Sequence, residues 1–449
     1  MSDRLEERKD FTEDLKVKVP EATRLTEGGK LNEALDLLMT LERNCRVGND
    51  FNNLKEVVLT MARLCKAAGD WEQLNATATL LAKRRGQQGR TITAMVQECM
   101  LWLDETPDKA TKIALIVALR DITDGKIFVE GERARLTRLL ADIKEKDGDV
   151  AGAQEVLQEV AVETYGALDK KEKTDFILEQ VRLTLLKKDY VRALIQSRKI
   201  NRKIIEGDDM QELKVRFYRL MLDYDLHEKD PFSLCCDYHA IFATAIIKAD
   251  AQQRQAALKS CVVYLVLSPY TNTQQDMLHR VSRYPELDEL TSYKTLLKLF
   301  TTYEIIDYPL PFAAELEAHI KESIAATGTD PELGPPLLEQ WLKDLHTRVV
   351  QHNIRVAAKY YKQIRTARLA TLLGLDEGTT ERSLSTMVSD GTLYARINRP
   401  EGIISFSKPQ PSEEVLSSWN SDLSSLLRLL EHTTHLINKE TMLAGNVKA

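Results

Sequence analysis

The chain has 449 residues, of which 43% are hydrophobic and 29% charged, with 62 Lys and Arg set against 68 Asp and Glu. Single cores stop growing at about 250–300 residues, so more than one structural unit is expected. A net charge of −6 argues against a surface built to neutralise phosphates along its length, and no apolar run reaches the roughly 18 residues of a membrane helix.

Gly (19) and Pro (13) are sparse, which predicts few long loops. The leading segment MSDRLEERKDF is charged and lacks an apolar stretch, so no secretory signal is expected. None of the six cysteines, Cys45, Cys65, Cys99, Cys235, Cys236 and Cys261, lies in a C-x-x-C pair. They read as thiols of a reducing compartment, cytoplasmic or nuclear.

From the N-terminal side, residues 1–20 read as a tail and 21–230 as helical repeats. The strings EGGKLNEALDLL, AAGDWEQLNATATLL, KDGDVAGAQEVL and LKKDYVRALIQS align on Lys30, Asp70, Asp149 and Asp189, spaced 40, 79 and 40 residues apart. A copy hidden in the double gap is TPDKATKIALIVAL, with Lys109 in register and Ala110, Ile113, Ala114 and Val117 as its buried stripe. LHEKDPFSLCCDYHAIF adds a sixth candidate at Asp230, its apolar residues offset by one. One helix pair cannot bury such a face alone, whereas stacked pairs can. The expectation is a right-handed α-solenoid of TPR-like helix pairs.

Residues 231–345 continue as helices, including 252–268 and SYKTLLKLFTTYEII at 292–306. Pro309 and Pro311 then end the second of these. The segment 335–364 reads as one or two helices.

A winged helix is expected over 346–408. Thr366 would cap its second helix and Gly374 end it. Thr379 or Thr380 would cap the third, Gly391 would stop it, and Leu384, Met387 and Val388 would face inward. TLYARI alternates in strand fashion, with Leu393, Ala395 and Ile397 on one face. NRPEG turns, and IISF returns as an outer strand that a neighbour's strand would cover. The unit carries ten Lys or Arg against five Asp or Glu. Its third helix, however, holds only Arg382 against Glu381 and Asp390. That is not the Arg, Lys, Asn and Gln set that reads base edges, which disfavours nucleic acid.

Residues 409–449 form a terminal helix, with Ser412 as its cap after Pro411. Leu416, Trp419, Leu423, Leu426, Leu430, Thr433 and Ile437 follow at alternating steps of three and four, a heptad seam. It could fold back on its own winged helix, but it reads better as part of a bundle with other chains.

Solenoid, helical layer, winged helix and terminal helix, in that order, resemble the PCI family. The family takes its name from the proteasome lid, the signalosome and translation initiation factor three. QHNIRVAAKYYKQI, ARLATLLGL and DGTLYARINRPEGIISF are similar to a PCI winged helix, and TTHLINKETM is similar to the tail of a 26S proteasome lid subunit. The resemblance implies a non-catalytic scaffold that supports lid assembly and ubiquitin-dependent degradation. Winged helices of other PCI subunits would pair edge to edge, engaging Leu393, Tyr394, Ile403, Ile404 and Phe406. The seam residues would enter a helical bundle. The deubiquitinating subunit and the core particle would lie near the solenoid.

Catalytic motifs do not appear. None of the eight histidines forms H-x-H or H-E-x-x-H, so no metal is expected. EGGKLN lacks the first Gly and the Ser or Thr of a phosphate loop, and no cofactor is implied. The readings that stay open are a signalosome subunit and, less favoured, a winged-helix nucleic-acid binder.

Overall fold

The computed structural model of the chain describes residues 11–48, 50–166, 168–326 and 334–446. Its contacts divide it into two units, one running to Leu258 and one beginning at Lys259. Helices dominate both.

The first unit opens with α1 (Thr12–Glu27), α2 (Leu31–Val47), α3 (Phe51–Ala67), α4 (Trp71–Lys83), α5 (Gly89–Leu101) and α6 (Lys109–Thr123). It continues through α7 (Glu130–Lys146), α8 (Val150–Gln158), α9 (Lys170–Leu186) and α10 (Tyr190–Ser197). The short α11 (Arg202–Ile205) precedes α12 (Gln211–Glu228), α13 (Pro231–Ala243) and α14 (Ala245–Ala249). Helix α1 covers residues 12–20 of the stretch read as a tail; residues 1–10 lie outside the described residues.

The polar pairs that mark the repeat have one physical explanation. At five of the six, the hidden copy before α6 being the exception, a helix ends on a residue in the left-handed region, and the next residue starts the following helix. The left-handed residues are Gly29, Gly69, Gly148, Lys188 and Lys229. At the second pair, Gly69 N donates to Lys66 O (2.9 Å) and Asp70 N to Cys65 O (3.2 Å), the paired bonds of a Schellman ending. The same residue then caps α4, its carboxylate accepting from Gln73 N at 3.0 Å. Asp149, Asp189 and Asp230 do likewise for α8, α10 and α13, accepting from Gly152 N (2.9 Å), Arg192 N (3.2 Å) and Phe232 N (3.1 Å). One aspartate therefore closes one helix and opens the next, so the pairs need no spacer. Gly69 (φ 71°) and Gly148 (φ 84°) adopt this conformation without the steric cost of a Cβ.

The hidden copy is present but one residue out of the expected register. Asp108, not Lys109, caps α6, in a reciprocal capping box with Thr111. The stripe of Ala110, Ile113, Ala114 and Val117 is corrected accordingly. Ala110, Ala114 and Val117 are exposed and Ile113 half-buried, while Leu115, Ile116, Leu119 and Ile122 are buried. A one-residue error turns a helix face by about 100°. The sixth copy is a true helix start, with Asp230 as cap and Pro231 in the first turn.

Adjacent helices of this unit pack on one another over several apolar clusters. Leu38, Leu41, Leu54, Met61, Ile116 and Leu119 are fully enclosed in the first of them. Equivalent helices are also cross-linked by charge. Glu145 on α7 pairs with Arg182 on α9 through two bonds (2.6 and 2.7 Å), and Arg216 on α12 reaches Asp175 on α9 at 2.7 Å. Burial alone would raise the Glu179 carboxyl, yet hydrogen bonds from Arg216 and Arg182 hold it below its ordinary value.

Helix α15 (Ala251–Leu267) contains the division between the units. The second unit continues with α16 (Asn272–Val281), α17 (Thr291–Thr301), α18 (Ala313–Ala326) and α19 (Gly334–Tyr360). Helix α17 stops at Thr301, short of the expected 306. The segment from 335 is a single helix to Tyr360, not extending to 364. Asn353 on α19 holds the chain after α17, accepting from Ile306 N (2.8 Å) and donating to Ile306 O (2.9 Å). β1 (Gln363–Arg365), α20 (Thr366–Leu373), α21 (Glu377–Ser389), β2 (Arg396–Asn398), β3 (Ile403–Ser405) and α22 (Ser412–Asn446) complete the chain.

Candidate assembly surfaces

The winged helix is built around Ile354, Leu369, Leu384, Met387 and Ile404, all buried. Its strands lie in the order β1-β3-β2, both pairings antiparallel. This corrects the expected outer strand. Ile403–Ser405 is the middle strand, paired on one side with Gln363–Arg365, which was read as the end of a helix. Ile404 is fully enclosed and Phe406 is buried, so neither side chain can meet a partner as it stands. Ile403 and Leu393 are half-buried, whereas Tyr394 is exposed.

The free edges are therefore β1 and β2. Phe406 N donates to Lys362 O (3.0 Å), and Thr366 N donates to Gly402 O (2.8 Å). Alternate residues of an antiparallel strand point their backbone groups to opposite sides. Those of Gln363 and Arg365 thus turn away from β3, along the outer edge of the sheet.

The third helix also starts earlier than expected. Asp376 caps α21, accepting from Gly378 N at 3.3 Å, and Thr379 and Thr380 lie inside the helix. Its inner face is Thr380, Leu384 and Met387, and Val388 is exposed rather than inward. Thr366 does not cap α20; its hydroxyl donates to Gly402 O at 3.1 Å. Gly374 (φ 65°) ends α20 and Gly391 (φ 71°) follows α21, as the sequence suggests.

This face is a poor match for a nucleic-acid groove. Arg399 of the wing pairs with Glu381 of α21 at 2.5 Å. Two further cations of the basic count, Arg348 and Arg355, line a cavity in this unit. Lys359 sits 3.3 Å from the Tyr303 ring centroid.

Helix α22 presents a different surface. It has 35 residues, and every one of its side chains among the described residues is exposed. Leu416, Trp419, Leu426, Leu430 and Ile437 are each about 60% exposed, and Leu423 is 40% exposed. The seam therefore does not fold back on the winged helix. An apolar stripe this long is left uncovered only at a cost, and such patches mark interaction sites.

Among the described residues, no group of three or more His, Cys, Asp or Glu is placed to hold a metal ion. Burial and the neighbouring Arg355 push His352 down to about 4, and its Nε2 lies 3.2 Å from Glu304 O. Burial pushes the Cys65 thiol up to about 11 and the Cys99 thiol to about 12, away from reactivity. Among the described residues, no helix is long and apolar enough to cross a membrane.

Three family models match consecutive parts of the chain. They are PSMD12/CSN4, N-terminal over 33–250, PCI domain over 329–408, and 26S proteasome regulatory subunit RPN5 C-terminal domain over 413–445. The 26S proteasome non-ATPase regulatory subunit 12 of Dictyostelium discoideum is 38% identical, with 93% of this chain and 92% of that protein covered. The chain belongs to this family. The 26S proteasome regulatory subunit RPN5 of Saccharomyces cerevisiae is 37% identical over 97% of both chains. The 26S proteasome non-ATPase regulatory subunit 12 homolog A of Arabidopsis thaliana is 38% identical, with 93% of this chain and 98% of that protein covered. The family's shared architecture, an all-α solenoid followed by a PCI domain, is the one found here.

Two features escape the sequence. Strand β1 is three residues long and follows a helix without a turn signal. The pair Arg348 and Arg355 could have been noticed, because seven residues on a helix bring two side chains to one face.

Proposed function

We propose that the chain is a non-catalytic scaffold subunit of the proteasome regulatory particle lid, supporting lid assembly and so ubiquitin-dependent degradation. The uncovered α22 carries this reading. Leu416, Trp419, Leu423, Leu426, Leu430 and Ile437 would enter a helical bundle with other lid chains. The relatives are named as proteasome regulatory subunits, which supports association with the rest of the regulatory particle.

A second contact is strand addition at the winged-helix sheet. With β3 in the middle, a neighbouring PCI subunit would join through the edge of β1 or β2, with Tyr394 beside it. Contacts of the solenoid with the deubiquitinating subunit and the core particle rest on the resemblance alone. The division into repeats at 21–230, a helical layer at 231–345 and a winged helix at 346–408 follows the repeat spacing and the helix and strand patterns of the sequence. The cytoplasm and nucleus are the compartments this role requires.

The signalosome is the alternative. The N-terminal match cannot separate the two complexes, because that family model spans both. The tail match at 413–445 favours the proteasome. Purifying the protein from cells under gentle conditions tests this. Co-purification with proteasomal ATPases and other lid chains is expected, whereas cullin-associated partners would overturn it.

A further inference from the structure

The first unit carries a basic surface that neither α22 nor the winged-helix sheet includes. Three segments meet there: the end of α2, the link 84–88 between α4 and α5, and residues 126–128 ahead of α7. Arg46 Nη1 donates to Arg85 O (2.7 Å), and Lys126 Nζ donates to Ala82 O (3.4 Å). The Phe128 ring lies against Gly89, where an added Cβ would sit 3.1 Å from it.

Arg46, Lys83, Arg84, Arg85, Arg90 and Lys126 supply the positive charge of this surface. Among the described residues, one carboxylate pairs with any of them. Glu42 is fully buried and takes both Arg46 (3.1 Å) and Arg84 (2.5 Å). The bordering carboxylates are engaged elsewhere: Asp50 caps α3, Asp124 pairs with Arg133, and Glu130 is half-buried in the first turn of α7. Lys83, Arg85 and Arg90 are exposed and have no carboxylate partner among the described residues. Lys83, in the last turn of α4, suits the helix dipole. Arg90 lies in the first turn of α5, at the positive end, where a cation is disfavoured. Helix stability therefore does not account for it. Beside these charges two apolar side chains stand open to solvent, Ile127 at 79% and Phe128 at 47% exposure.

We infer that this surface docks an acidic segment of a partner protein, with Asp and Glu side chains meeting Lys83, Arg85 and Arg90 and an apolar residue covering Ile127 and Phe128. The uncompensated charge sets the sign of the partner. The exposed apolar pair favours a protein over a nucleic acid, whose binding rests on phosphate contacts.

A photo-crosslinking amino acid placed at position 127 of the full chain, expressed in cells, tests this. The site is open enough to accept it without disturbing the core. Mass spectrometry then reads the sequence joined to it. A protein segment rich in Asp and Glu is expected. Its yield should fall about tenfold when Lys83→Glu, Arg85→Glu and Arg90→Glu are combined, since each exposed pair contributes modestly and reversal adds repulsion. The triple glutamine variant at the same positions serves where charge reversal impairs folding, and Lys170→Glu with Lys171→Glu on α9 is the control that should leave the yield unchanged. Absence of a crosslink, a joined segment without net negative charge, or an undiminished yield in the variants would overturn the inference. Crosslinks to nucleic acid in place of protein would overturn it too. The outcome is separate from membership of the lid, which co-purification with the ATPases reads.

Discussion

Removing α22 after Pro411 should leave the rest of the molecule as stable as before. The described side chains of the helix are all exposed, and none belongs to an apolar core cluster. Substitutions at such positions usually change stability by less than about 0.5 kcal/mol, so the thermal midpoint of the truncated chain should match that of the full one within about 2 °C. Assembly should respond in the opposite way. Each seam residue that a partner covers contributes about 1.5–3 kcal/mol. Leu423→Asp removes one of these and introduces a carboxylate that must be desolvated. At about 1.4 kcal/mol per decade, association should weaken at least ten- to a hundredfold. Arg428→Gln, on the opposite polar face of the helix, is the control and should assemble normally. The assays are thermal unfolding of the isolated chain and incorporation of tagged variants into purified lid. A truncation that lowers the midpoint by many degrees would mean that α22 packs on its own chain. A Leu423→Asp variant that enters the lid at the wild-type level would refute the seam.

Three further outcomes follow from the geometry. Leu38→Ala in the solenoid core, where the side chain is fully enclosed, should cost about 2–5 kcal/mol in urea unfolding. Arg365 already has φ −75° and turns its N–H away from β3. Arg365→Pro should therefore leave the isolated chain at least as stable, yet impair lid incorporation if a partner's strand adds at β1; normal incorporation would assign the contact to β2. Burial first, and then the charge of Asp225, push Asp237 from 3.8 up to about 9, with Arg202 opposing. Its folded value exceeds its unfolded one, so its contribution is most favourable below about pH 4 and declines as the pH rises towards 9. Asp237→Asn should stabilise the chain by about 1–3 kcal/mol at pH 8 and much less at pH 4, measured by urea unfolding at both.

Much of the architecture is written in local chemistry. Asp70, Asp149, Asp189 and Asp230 cap helices because a short carboxylate reaches the free N–H groups of the first turn. That interaction depends on neighbours three residues away, so the repeat is legible in the sequence. The heptad seam of α22 is legible for the same reason, since its spacing follows from helix geometry alone. What the sequence could not determine are the choices made between distant segments. Strand order depends on which strand closes the sheet, and Gln363–Arg365 takes an edge only because residues some forty positions later come beside it. The register of α6 turned on a capping box with Thr111 rather than on the apolar pattern. Whether the seam is covered, and whether Arg348 and Arg355 meet a carboxylate, depends on what the folded chain places within a few ångströms of them. Only tertiary packing decides that, because contact in space is not a function of spacing along the chain.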